Sequence, residues 1–384
     1  MSHHSVGQPL ANDYTVVYRD PEATSPRGLD GPGLVKLPDG KLLAVVPAEM
    51  RDGTWACHIV RSGDGGASWE RVARLPYYSG VPWTHDGTLY LFGFTEGTEY
   101  RNDDLHLLSS ADGGVTWSDP VTIAEGHFWN CQTAMVVRDG TLYWAVDDLE
   151  PGDDYRGHRV VAGDLSGDPM RPAAWRLSNL VQFPGLPPSL TNQDQKFFSN
   201  RMLEPGVIEV AGRLRVLSTV KPPGQATTNL GAVFDVEDDA GSLDLSFTQY
   251  HPFPGGQLKF CVVEDDVTDL FWAAMNLPVD GQNQFDLVDP EEHRFGEPYG
   301  RGHGGNDRRF LMLMYGLDGL NWFPAGCVAR ADRLSKSFMY PAPLIDGDDM
   351  LIVARASIDA PNRHDADAAT FHRIPEFRDL AMPL

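Results

Sequence analysis

Apolar and polar positions alternate with a period of two along most of this 384-residue chain, and the alternation is broken by short polar turns rather than by helical spacing. Six stretches share one wording, an apolar strand, a turn and a second apolar strand. The first three are Leu34–Val46 around Asp39-Gly40, Val81–Phe94 around Asp86-Gly87 and Ala134–Val146 around Asp139-Gly140. The later three are Gly206–Val220 around Ala211-Gly212, Leu258–Met275 around Asp266–Asp269 and Pro343–Ala354 around Asp346-Gly347. They recur every roughly 50 to 80 residues, a spacing that suits units of four short strands with loop insertions. Between Asp147 and Asn200 the chain is rich in Pro, Gly and Asp and reads as long loops. The tail Thr370–Leu384, which includes Phe371-His372-Arg373-Ile374-Pro375, is expected to supply a strand that closes a ring and removes its last open edge.

A second repeat is more specific. Ser62-Gly63-Asp64-Gly65-Gly66-Ala67-Ser68-Trp69 is matched by Ser110-Ala111-Asp112-Gly113-Gly114-Val115-Thr116-Trp117, and Gly316-Leu317-Asp318-Gly319-Leu320-Asn321-Trp322 is a degraded copy that keeps Asp-Gly and Trp. In S-x-D-G-G-x-[S/T]-W the Asp accepts hydrogen bonds from turn amides, the glycines take positive φ, and the Trp buries a large ring on its neighbour. On these repeats the chain resembles the sialidase-like superfamily of Asp-box, or BNR-repeat, propellers. That resemblance and the six hairpins together predict an all-β fold, a six-bladed β-propeller of four-stranded antiparallel blades.

Composition fits one large domain spanning residues 1–384: 39 Gly and 29 Pro suit many short strands and turns, and no linker-like stretch divides the chain. With 31 Lys+Arg against 54 Asp+Glu the formal charge is −23, a field that repels nucleic acid and anionic membranes while leaving room for a local cationic pocket. Cys57, Cys131, Cys261 and Cys327 form no CxxC pair, so neither a zinc site nor a disulfide framework is expected. Asp147-Asp148 and Asp348-Asp349 read as solvated turns rather than calcium ligands, and neither a metal nor a cofactor is expected. The Met1 end shows no basic and apolar leader, and no apolar run approaches the ~20 residues of a membrane span, which places the protein in the cytoplasm as an expectation.

Sialidases hold a substrate carboxylate with three arginines, use a Tyr activated by a Glu as nucleophile, and use an Asp as acid/base. Carried over residue by residue, the resemblance implies that Glu204, in Leu203-Glu204-Pro205-Gly206, is the base, and that Tyr340, in Tyr340-Pro341-Ala342-Pro343, is the nucleophile. It implies Arg308 as one arm of the clamp and Asp52, in the loop after the first hairpin with Glu49 and Arg51, as the acid/base. The other two arms are missing: Asp30 stands where one arginine is expected, and Thr219, with Lys221 close by, stands in place of the other. Charge-assisted hydrogen bonds are worth about 1.5–3 kcal/mol each, so their loss disfavours an ordinary sialidase.

Polar residues in unusual places are the candidates to replace the clamp. His127, Asn130 and Gln132 precede the third hairpin, Lys259 enters an apolar strand, Arg355 ends the last hairpin, and His364 and Asp365 follow it; Arg51 joins them from the first loop. The resulting expectation is a glycoside hydrolase acting on an acidic or strongly hydroxylated sugar in a central pocket, with an oligosaccharide or glycoside as partner. Two alternatives stay open. One is β-elimination of a uronic acid by Tyr340 with His127 or His364 and Arg308, and the other is a non-catalytic carbohydrate-binding propeller.

Overall fold

In the computed structural model the chain forms six antiparallel sheets arranged as a six-bladed β-propeller. The structure describes residues 7–19, 28–96, 102–150, 156–186, 201–221, 229–239, 241–278, 307–333, 335–360 and 363–382. Blade I runs Gly33–Lys36, Leu42–Glu49, Trp55–Ser62 and Glu70–Leu75, and blade II runs Ser79–His85, Thr88–Glu96, Asn102–Ser110 and Val121–Ala124. Blade III breaks its first position into Phe128–Trp129 and Val136–Arg138, continues through Thr141–Asp148 and Gly157–Asp164, and breaks its last into Trp175–Leu177 and Val181–Gln182. Blade IV is Arg201–Val210, Arg213–Lys221, Leu230–Asp239 and Ser242–Pro252; blade V is Phe260–Asp265, Leu270–Asn276, Phe310–Gly316 and Trp322–Arg330.

The six predicted hairpins fall on the first two strands of the six blades. In blades II, III and IV both central turn residues have positive φ: Asp86 and Gly87, Asp139 and Gly140, Ala211 and Gly212. That is the twist a tight antiparallel hairpin needs, which is why Asp-Gly punctuates the sequence. Neighbouring blades touch all round, mostly through their first strands and between blades II and III through the third strand of blade II, and blade I meets both blade II and blade VI, so the ring is closed. Hydrophobic clusters lie between adjacent blades rather than at one centre. Trp144 of blade III, fully buried, stacks on Phe92 of blade II at 4.8 Å, and such aromatic seams supply the large buried areas that hold the blades together.

The repeated Asp-Gly-Gly hairpins join the third and fourth strands of blades I and II and clamp onto the preceding blade. Asp64 accepts from Ser68 N at 2.9 Å and Ser68 Oγ at 2.5 Å, while Gly66 N donates to Ser62 Oγ at 2.8 Å. Asp112 repeats this with Thr116 at 2.9 and 2.6 Å, and Trp117 Nε1 donates to Gly114 O at 3.0 Å. These side-chain and main-chain donors hold both carboxyls down to about 2. A Cβ on Gly66 would meet the Phe371 ring of blade VI at 2.2 Å, so the hairpin's close approach to its neighbour requires glycine there. The copy at Asp318 keeps the turn, accepting from Asn321 N at 2.7 Å.

Ring closure differs from expectation. Blade VI is Ser337–Asp346, Asp349–Ser357, Ala368–Ile374 and, outermost, the N-terminal strand Thr15–Arg19. The tail strand is therefore third in its sheet, and the other end of the chain completes the blade. A turn of 3-10 helix at Phe377–Leu380 then ties the tail to blade V, where Arg378 reaches the buried Asp265 at 2.7 and 2.8 Å. The stretch after Asp147 also differs, because it carries the third and fourth strand positions of blade III; residues 151–155 and 187–200 lie outside the described residues. Among the described residues no helix is long and apolar enough to cross a membrane.

The N-terminal strap carries a prediction. Leu10 and Ala11 pair with Cys327 and Val328 at the edge of blade V, and Ala11 O lies 2.8 Å from Nδ1 of the fully buried His372 in blade VI. Burial pulls His372 down to about 4, from an ordinary value near 6.5. Between those pH values the unfolded chain takes up a proton that the folded chain refuses, so stability falls as pH drops through that window. For His372 the loss is about 3 kcal/mol. His58, also lowered to about 4 by burial and then by Arg71 and Arg74, acts in the same window. Urea midpoints at pH 7 and pH 4.5 are expected to fall further apart in the native chain than in His372→Phe; an equal fall in both would refute this role for His372.

Candidate active site

Near the N-terminal ends of the innermost strands of blades I, III, IV, V and VI stand Asp30, Asn130, Glu204, Lys259 and Tyr340. Glu204 and Tyr340 sit in equivalent bulges of blades IV and VI, where the strand register slips between Leu203 and Gly206 and between Met339 and Ala342. Both precede proline, and both are held at positive φ, 58° and 53°. Proline disfavours helical conformations in the residue before it, and left-handed backbone is costly for any side chain with a Cβ, so each bulge stores strain. The bulges aim the two side chains at each other: Tyr340 Oη donates to Glu204 Oε1 at 2.7 Å, with both residues buried.

Two guanidiniums cover the tyrosine ring. Arg308 Cζ lies 5.1 Å and Arg355 Cζ 4.1 Å from its centroid, and both arginines are buried. Burial, joined by the Glu204 charge, pushes the Tyr340 hydroxyl well above its usual range, while Arg308 and Arg355 oppose that rise. Glu204 is also raised by burial; its bond from Tyr340 and the Arg308 charge pull it down, Asp147 pushes it up, and Lys221 pulls it down. The pair therefore holds a phenol beside a carboxylate made more basic by its surroundings, the arrangement a phenolic nucleophile needs.

Asp30 stands at the missing arginine's place and accepts a 3.0 Å hydrogen bond from Arg355 Nη1, which also donates to Leu29 O at 3.0 Å. A Cβ on the next residue, Gly31, would come within 2.9 Å of both Tyr340 Cδ1 and Cys131 Cβ, so glycine lets this segment pass against the tyrosine. Thr219, at the other missing arm, is buried and donates to Leu203 O at 2.8 Å, securing the main chain beside Glu204.

The remaining candidates fall into three groups. Lys259 and Asn130 are buried and serve the bulges: Lys259 Nζ donates to Pro341 O, and Asn130 Nδ2 donates to Pro205 O at 2.9 Å and Ala145 O at 2.7 Å. His364 and Asp365 lie beside Arg355: His364 O accepts from Arg355 Nη2 at 3.4 Å, and His364 Nδ1 is 3.2 Å from Asp365 Oδ1. His127 faces Glu150 at 3.7 Å, and Gln132 lines a cavity of about 380 Å³ around the axis, bounded by first strands of all six blades.

Arg51 and Asp52 are exposed in the turn after the second strand of blade I. Asp52 accepts from Thr54 Oγ1 at 2.6 Å and Thr54 N at 3.0 Å, bonds that hold its carboxyl below the usual range. The bonds Asp52 makes stay within its own turn, and they favour its ionised form. Asp52→Asn is expected to change kcat/KM by no more than about threefold; a loss of 100-fold or more would assign it the acid role.

Asp147 and Asp148 correct the reading of that pair as a solvated turn. Both are buried: Asp148 pairs with Arg159 at 2.6 Å, and Asp147 meets Arg156 and His158, each at 3.1 Å. Glu204 N donates to Asp147 Oδ1 at 3.2 Å. His158 Nε2 lies 2.6 Å from Ser218 Oγ, which donates to Leu203 O at 2.9 Å. Asp147, His158 and Ser218 are buried, so the series is a main-chain support and not an exposed nucleophile. Asp147 was visible in the sequence only as an acid at the end of the apolar run Leu142-Tyr143-Trp144-Ala145-Val146.

No family model matches the chain, and no curated protein matches it in sequence. Solved structures match it in fold. An α-L-arabinanase from Penicillium chrysogenum, complexed with arabinobiose, is similar at a TM-score of 0.59 and 15% identity, over 97% of this chain and 100% of that one. An α-L-arabinofuranosidase from Fusarium graminearum, bound to an iminosugar inhibitor, gives 0.61 and 11% over 95% and 98%. A Trypanosoma rangeli sialidase in complex with sialic acid gives 0.58 and 15%, over 96% of this chain and 58% of the sialidase. At these identities the likeness is one of fold.

Proposed function

We propose that the protein is a glycoside hydrolase in which Tyr340 is the nucleophile and Glu204 its base. The observation that carries the reading is the 2.7 Å bond from Tyr340 Oη to the buried Glu204, between two strained bulges and beneath two guanidiniums. Strain of this kind persists only where surrounding structure enforces it, and it concentrates at functional sites. Support also comes from the neighbours in fold, which by name are an arabinanase, an arabinofuranosidase and a sialidase.

In this reading Glu204 takes the phenolic proton as Tyr340 Oη bonds to the anomeric carbon and the glycosidic C–O bond breaks. The leaving oxygen takes its proton from the solvent side. Water then attacks the same carbon and gives up its proton to solvent, which replaces the one the leaving oxygen took, while the departing Tyr340 oxygen recovers its own proton from Glu204. Arg308 and Arg355 stabilise the phenolate character that develops on the ring oxygen.

The substrate class we favour is a hydroxylated, uncharged sugar ring rather than a carboxylate sugar. Asp30 neutralises Arg355, and Thr219 brings no charge where a second arm would stand. The test is to incubate the full chain with neutral and acidic oligosaccharides and follow reducing ends and ultraviolet absorbance together. Reducing ends from neutral sugars support the reading. Absorbance from an unsaturated product would assign elimination instead, and silence across the panel would favour a binding propeller.

A further inference from the structure

The main chain around Glu204 is held at three successive residues, on the peptide groups either side of it, by side chains the reaction does not consume. Leu203 O accepts from Ser218 Oγ and Thr219 Oγ1 at 2.9 and 2.8 Å. Glu204 N donates to Asp147, and Pro205 O accepts from Asn130 Nδ2 and Thr133 Oγ1 at 2.9 and 2.8 Å. Five hydrogen bonds thus converge on a bulge that contains a left-handed, pre-proline residue. The bulge of Tyr340 has a parallel support: Lys259 holds Pro341 O, and Asn276 Nδ2 holds Phe338 O at 2.7 Å.

Resting on the hydrolase reading, we propose that Asp147 is a positioning residue: its carboxylate, itself fixed by Arg156 and His158, locks the Glu204 main chain in the geometry that meets Tyr340. Two features single it out from the four side chains that donate. Asp147 is the charged member of the support, and it takes the amide of Glu204 itself; like Asn130 and Thr133 it lies in blade III, so the support couples the site to the neighbouring blade. Fully buried, it is removed from solvent screening and acts on Glu204 at short range.

The charge gives a readout that a merely structural role would not move. Tyr340 from blade VI, Arg308 ahead of the third strand of blade V, Lys221 at the end of its own hairpin, and Asp147 bear on Glu204. Arg156 and His158 face Asp147. Of the groups bearing on Glu204, Tyr340, through its hydrogen bond, Arg308 and Lys221 favour the ionised carboxylate, whereas Asp147 disfavours it. Removing the Asp147 charge must lower the Glu204 titration midpoint, and removing the Arg156 charge must raise it.

The experiment is a carbon-13 carboxyl titration of the glutamate-labelled full chain, with the Glu204 signal assigned by its loss in Glu204→Gln. In Asp147→Asn the midpoint is expected to fall by roughly one pH unit, and in Arg156→Gln to rise. An unchanged midpoint in folded Asp147→Asn, or shifts of the same sign in both variants, would overturn the proposal. If Asp147→Asn does not fold, Arg156→Gln decides: a rise supports it and no change overturns it. On a substrate that is turned over, Asp147→Asn is expected to lower kcat about tenfold with KM within twofold. The titration needs no substrate, so it reads Asp147 even if the hydrolase reading fails, and turnover without a midpoint shift would sink this proposal alone.

Discussion

Tyr340→Phe is expected to lower kcat/KM by about 10³-fold or more while leaving the fold intact. The substitution removes one oxygen from a buried ring whose contacts are otherwise kept: Arg308 and Arg355 still lie over its faces, and Gly31 still passes its edge. What is lost is the atom that donates to Glu204, and with it the only hydroxyl bonded to that carboxylate among the described residues. Glu204 then faces an apolar ring, which raises its carboxyl further, because burial is already the largest influence on it and the bond from Tyr340 opposed that influence. Side-by-side rates and far-ultraviolet circular dichroism of the native and Phe forms check the result. Residual activity above a tenth of the native value would remove Tyr340 from the reaction.

The second large effect concerns Asp30. Arg355 is 5% and Asp30 7% exposed, so Asp30→Asn leaves a buried guanidinium without its carboxylate. Breaking a buried pair by removing one partner costs about 3–5 kcal/mol, because the remaining charge keeps its desolvation penalty. The unfolding free energy is expected to fall by that amount, read as a lower denaturant midpoint at unchanged slope. Because Arg355 Cζ sits 4.1 Å from the Tyr340 ring centroid, its displacement also disturbs Tyr340, and activity is expected to fall with stability. The double variant Asp30→Asn with Arg355→Met is expected to recover most of the stability and none of the activity, since an apolar chain tolerates burial where an orphaned cation does not. A single-variant loss below about 1 kcal/mol would show that the pair is screened by solvent.

Much of the architecture was legible because its signals are local. An Asp-Gly turn specifies its own dihedrals, and an Asp bonded to the next few amides specifies its hairpin, so blades could be counted from residues within ten positions of one another. The places of Glu204 and Tyr340 ahead of such hairpins were legible, while their roles belong to the proposed function. Closure by Thr15–Arg19 was not, since five residues of ordinary strand wording say nothing about a partner as far along the chain as Ala368–Phe371. Asp147 was misread because an acidic pair in sequence resembles a solvated turn, and only burial against Arg156 and His158 distinguishes the two. Lys259 and Asn130 were marked as binding groups on residue type. Their nearest acceptors are main-chain carbonyls of the two bulges, contacts no sequence spacing records.

The most direct test of the account is to trap the covalent intermediate. An activated fluoroglycoside of whichever sugar the panel identifies should be incubated with the full chain and the labelled peptide mapped by mass spectrometry. The account predicts one equivalent of sugar on the peptide carrying Tyr340, and none in Tyr340→Phe. A stable label on a carboxylate such as Glu204 or Asp30, with Tyr340 unmodified, would contradict it.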